Sequence, residues 1–161
     1  MKWAIAFLVA HSIIVSRSNA NAQMPRPENI NIVAGSCAPS SHIAEGPIGT
    51  DLTKMQSRFF CNTAAITFFP DYKGHVMTQF IQKEAHHGPS LGFAGRLDSD
   101  GVIMQVEKIY FGQSGPTTVS GGICKFFFKG KHMSGVFCGA NVDETGRRTV
   151  AFIAFDPAPG Q

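Results

Sequence analysis

From residue 59 onward the chain repeats one unit: a run of eight to twelve residues rich in Phe, Val, Ile and Thr, then a short cluster of turn-forming residues. The runs lie at 59–69, 75–85, 90–97, 102–111, 117–128, 132–141 and 147–155. Between them stand Pro70-Asp71-Tyr72-Lys73-Gly74, His87-Gly88-Pro89, Asp98-Ser99-Asp100-Gly101, Gly112-Gln113-Ser114-Gly115-Pro116, Lys129-Gly130-Lys131 and Asp143-Glu144-Thr145-Gly146. Short apolar runs joined by tight-turn residues spell an antiparallel meander. No segment sustains a helical apolar period, so little helix is predicted. The fold class is all-β, with about seven or eight strands. A long meander has two sticky edges unless it closes on itself, which favours a small barrel over a sandwich.

Alternation along the strands assigns faces. Leu91, Phe93 and Leu97 share one side of their strand, with Ala94 and Arg96 on the other, and Val76, Thr78 and Phe80 share a face. The run 150–155 is apolar on both sides, as expected of a strand covered by a preceding segment or a partner. A barrel whose interior is filled by Phe59, Phe80, Phe93, Phe126 and Phe152 would be closed to ligands through its middle.

The first 22 residues read as a cleavable export signal. Lys2 precedes an apolar stretch from residue 3 to 15, and Ala20-Asn21-Ala22 supplies the small-residue cleavage pattern. Thirteen residues interrupted by His11 and Ser12 fall short of the roughly 20 that a membrane-spanning helix needs. Residues 23–58 are predicted as a leader and loop region: 23–29 carries two prolines and no apolar period, and 30–33 is too short to assign. A loop is expected over 38–54, with at most one helical turn near 50–55. Residues 59–161 form the β domain. Export implies a periplasmic or secreted location and no stable membrane anchor after cleavage.

Without Lys2 and Arg17 the mature chain has 12 basic and 11 acidic side chains. That near balance argues against a nucleic-acid partner, which calls for a concentrated basic face. Lys125, Lys129, Lys131, Arg147 and Arg148 are expected to gather at one end of the sheet as a solvated rim.

The four cysteines, Cys37, Cys61, Cys124 and Cys138, point to disulfides in an exported chain, with three pairings open. The Lys129-Gly130-Lys131 turn narrows the choice. A hairpin centred near Lys131 sets Cys124 opposite Cys138, Phe126 opposite Val136 and Phe128 opposite Ser134, which leaves Cys37 for Cys61.

The stretches Phe68-Phe69-Pro70-Asp71-Tyr72-Lys73-Gly74-His75-Val76 and Cys124-Lys125-Phe126-Phe127-Phe128-Lys129-Gly130-Lys131 resemble small uncharacterised exported proteins of proteobacteria. The resemblance covers most of the mature chain and implies no particular activity.

Three motifs bear on chemistry. Gly88-Pro89-Ser90-Leu91-Gly92 matches G-x-S-x-G, with His86 and His87 just before it, but a strand follows where a nucleophile elbow needs a helix, so a plain β-turn is the better reading. His75, His86, His87 and His132, with Met77 as a soft neighbour, offer imidazoles for zinc or copper. Only His75 with His132, or His86 with His87, could pair, and solvated turn histidines are the simpler reading. Asp98-Ser99-Asp100-Gly101 opens like a calcium loop, yet its twelfth position is Ile109, which cannot ligate, so it reads as an Asp-Gly turn. No catalytic residue, metal site or cofactor is therefore predicted. The expected function is an exported, non-enzymatic binding or protein-interaction module whose partner is an unknown protein or a small apolar ligand. The alternatives are a secreted protease inhibitor that inserts its 23–29 leader into a cleft, as small barrel inhibitors of bacterial metalloproteases do, and a serine hydrolase using Ser90 with His86 or His87.

Overall fold

The computed structural model describes residues 29–69, 74–81 and 90–160. The export signal, the leader before Asn29 and the pair His86 and His87 lie outside the described residues.

Eleven strands form a single antiparallel sheet: β1 (Asn29–Cys37), β2 (His42–Pro47), β3 (Gln56–Arg58), β4 (Thr63–Phe69), β5 (His75–Ile81), β6 (Leu91–Leu97), β7 (Ile103–Phe111), β8 (Thr117–Thr118), β9 (Gly121–Lys129), β10 (His132–Glu144) and β11 (Arg147–Pro157). Eight of them run β1-β4-β5-β6-β7-β9-β10-β11, and β11 returns to β1, closing an eight-stranded barrel. The strands of the meander fall where the apolar runs predict, with 117–128 divided by a bend at Ser120 into β8 and β9. The small-barrel expectation is met.

The region expected as leader and loop is different. Residues 29–58 carry β1, β2 and β3, so the β domain includes this region and is not confined to 59–161. β1 alternates only over Asn29-Ile30-Asn31-Ile32, too short a stretch to announce a strand, and Ala34, Gly35 and Ser36 carry no pattern beyond it, so its pairing with β4 over Asn29 to Ala34 comes from tertiary contact. β1 and β2 act as one bent strand along β11: Cys37 faces Phe155 and His42 faces Phe152, with four residues spanning two on the partner. The expected helical turn is a short 3-10 element, Leu52–Lys54, capped by the Asp51 carboxylate accepting from the Thr53 N–H at 3.0 Å.

The interior is apolar and filled. Phe80, Phe93, Phe155, Leu91, Met104, Ile109 and Ile153 are fully buried, with Phe59 and Phe126 beside them. Phe80 meets Phe93 edge-on at 6.0 Å. Phe152 is the exception to the expected core: β11 points Ala151, Ile153 and Phe155 inward, so Phe152 faces outward, stacked on His42 at 5.4 Å and edge-on to Phe137 at 4.7 Å. Thr78 shares the buried face of β5 with Val76 and Phe80, as alternation predicts.

Two disulfides staple the barrel, Cys37–Cys61 and Cys124–Cys138, with Cα separations of 5.0 and 4.0 Å. Cys124 lies directly opposite Cys138 and Phe126 opposite Val136. Phe128, however, faces Met133 rather than Ser134. The hairpin tip is one residue tighter than expected, with Lys129 opposite His132, and a bulge between Met133 and Gly135 restores the register beyond it. A second bulge, between Ala94 and Gly95, brings Gly95 against the Gln105 carbonyl, where a Cβ would overlap the backbone.

Candidate functional site

The barrel is closed along most of its length and opens at one end, and the cause is local. β11 stops at Pro157, with Pro159 two residues on, and proline has no N–H to extend a ladder. Both neighbours of β11 run past that point. Its ladder with β1 ends at Gly35, with one further bond from the Ala158 N–H to the Ala34 carbonyl at 2.8 Å, and its pairing with β10 ends at Val136, so residues 29–33 of β1 and 132–135 of β10 continue beyond it. A wedge-shaped mouth is left between them.

The mouth is a cavity of about 470 Å³, within the range of roughly 300–1,000 Å³ usual for small-molecule sites. Its apolar walls come from Ile66 and Phe68 of β4, Leu97 of β6, Phe126 and Phe128 of β9, and Met133 of β10. Ile30 and Ile32 border it from the outer face of β1, since Asn31 and Val33 pair with the inward Ile66 and Ala64. Phe128 falls on the same face of β9 as buried Cys124 and Phe126, yet it is 52% exposed, near the tip of the β9–β10 hairpin. Large apolar side chains left wet at the rim of a concave apolar site mark a binding surface more often than a packing defect.

The polar groups of the mouth are few. Asn31 stands opposite Ile66 on the β1–β4 ladder, and Lys131 and His132 occupy the tip of the β9–β10 hairpin. Among the described residues Lys131 is the only charged one lining the mouth.

Elsewhere the candidate residues are dispersed. Ser90 is half-buried immediately before β6, and its carbonyl accepts from the Gly112 N–H at 2.7 Å, which ties the start of that strand to the end of β7. His75 Nε2 lies 3.4 Å from Glu107 Oε2, and Arg96 reaches the same carboxylate at 3.9 Å. His132 is at the mouth. Among the described residues no three His, Cys, Asp or Glu side chains gather as a metal-binding group. Asp98 accepts from the Val102 and Ile103 N–H groups at 3.0 and 3.2 Å, a turn held by its own side chain.

The five cations do not share one end. Lys129 and Lys131 flank the β9–β10 turn, whereas Arg147 and Arg148 flank the β10–β11 turn at the far end of β10, bound to Glu45 at 2.9 Å and Asp143 at 2.7 Å. Lys125 lies mid-strand over the Phe127 ring. Consecutive turns of a meander lie at opposite ends of the strand they share, so the meander itself separates the two cation pairs by the length of β10.

The mouth itself is the candidate site that the chain's pattern hides. Its signal was Pro157-Ala158-Pro159, which ends the last strand early. No protein-family model matches the chain, and neither a curated protein nor a solved structure is similar enough to match it.

Proposed function

We propose that the protein is an exported, non-enzymatic binding module that takes a small apolar ligand in the mouth of its barrel, in the periplasm or outside the cell. The observation that carries this reading is the exposure of Phe128 on the inner face of β9, in an apolar cavity of about 470 Å³ with three polar groups at its margin. Two disulfides fit an oxidising, extracytoplasmic compartment. The filled core supports a site at the end of the barrel rather than through its centre.

The test uses Nile red, a neutral dye whose emission rises in apolar surroundings. The purified protein should bind it; Phe128→Asp should weaken binding at least tenfold, and Ile32→Asp, on the outer face of β1, should leave it unchanged. Both side chains are largely exposed, so the variants should keep the native circular dichroism spectrum. Dye binding that is absent, or indifferent to Phe128→Asp, overturns the reading.

A further inference from the structure

We propose that the ligand of the mouth is a single-chain amphiphile with a monoanionic head of the carboxylate class, bound as a free molecule; this rests on the reading of the mouth as an apolar site. The tail lies along Ile66, Phe68, Leu97 and Phe126, deep in the mouth, and the head stays at the margin with Lys131.

Charge decides the head. Among the described residues the lining contains one ammonium, Lys131, one imidazole, His132, and one carboxamide, Asn31, and no acidic residue. The acids nearest along the chain belong to the turn before β7: Asp98 is engaged by two backbone N–H groups there, and Asp100 accepts from Ser99 at 3.5 Å. Lys131 is exposed at a hairpin tip on a flexible stem, free to follow a head group at the water boundary while its methylenes extend the apolar wall. An ammonium beside an apolar wall favours an anion over a neutral or cationic head, because the partner's charge is met where water is already partly excluded. One lysine at the margin suits a single negative charge. A cavity of about 470 Å³ with buried Ile66 and Phe126 in its lining suits one chain rather than two.

The experiment is displacement of Nile red by decanoate, decanol and decyltrimethylammonium at low ionic strength, with wild-type protein and Lys131→Gln. The three probes share a tail and differ in head charge. Decanoate should displace the dye at about fivefold lower concentration than decanol and at lower concentration still than the cation. Lys131→Gln should remove that advantage and leave decanol unchanged. Decanol equal to decanoate on wild-type protein, or an unchanged preference in Lys131→Gln, overturns the anionic head while leaving the apolar site intact. Failure of all three probes to displace bound dye overturns the amphiphile itself. Loss of dye binding to wild-type protein would overturn the apolar site as well, so the two failures are distinct. Sedimentation with phosphatidylglycerol vesicles that decanoate does not reverse would overturn capture of a free molecule.

Discussion

Ser41 Oγ serves both backbone groups of Ala154: it accepts from the Ala154 N–H at 3.0 Å and donates to the Ala154 carbonyl at 3.1 Å. The pairing sits where β1 bends into β2, and a strand that bends away must leave its neighbour's polar groups to something else. A buried serine hydroxyl takes the place of the missing ladder residue. The Ala38 N–H also reaches the Ala154 carbonyl at 2.8 Å, so the carbonyl has two donors while the N–H depends on Ser41. Ser41→Ala therefore leaves a buried donor without its acceptor, at a cost of about 1–3 kcal/mol. The urea midpoint should fall accordingly, whereas Ser40→Ala, at an exposed neighbour, should move stability by no more than about 0.5 kcal/mol. Equal midpoints for the two variants would show that the bend does not rely on this hydroxyl.

The same bend marks the border of what the sequence discloses. From Thr63 onward each strand carries its own pattern, either strong alternation, as in Val76, Thr78 and Phe80, or a continuous apolar run, as at 150–155, and each is fenced by turn residues. Local chemistry there agrees with the final fold. In β1 to β3 the pairing is imposed from outside: Gly35, Ser36, Gly46, Gln56, Ser57 and Arg58 have no strand preference to declare, and they are strands because β4 and β11 offer open edges to β1 and β2, and β2 in turn offers one to β3. The cross-strand position of Cys124 and Cys138 was legible because hairpin arithmetic is local. Phe128 was misplaced by one residue because a bulge at the tip cannot be counted from the turn motif alone. The mouth was hidden for another reason: it is made by the end of one strand relative to two others, a comparison of lengths that no single segment contains.

The Cys124–Cys138 bridge spans 14 residues and links two fully buried positions. Loop-closure entropy assigns a bridge of that span about 3 kcal/mol, acting mainly by restricting the unfolded chain. Cys124→Ala with Cys138→Ala should lower unfolding free energy by about that amount under oxidising conditions. Intact mass should also fall by about 4 Da on oxidation of the reduced wild type, two hydrogens per bridge, and by about 2 Da for the double variant. A double variant as stable as the wild type would show that β9 and β10 are held together by their ladder and the Phe126–Val136 packing alone.

At the closed end of β10 the Asp143 carboxylate accepts from the Arg148 guanidinium at 2.7 and 2.8 Å across the β10–β11 turn. That hydrogen bonding, aided by the attraction of the two charges and outweighing a small desolvation penalty, holds the Asp143 carboxyl below its ordinary 3.8. Because the folded value is the lower one, the unfolded chain takes up the proton more readily. The pair's contribution is therefore present in full above the unfolded value and is lost as pH falls through the folded one. Asp143→Asn lacks this contribution at every pH. Calorimetric Tm values should place the wild type above Asp143→Asn near neutral pH, with the gap closing as the solution is taken below the ordinary carboxylate range. Salt should narrow the neutral-pH gap, since the pair is largely open to solvent. A gap that stays constant from neutral to acid pH would show that the substitution acts through turn geometry and that the charge of Asp143 contributes nothing.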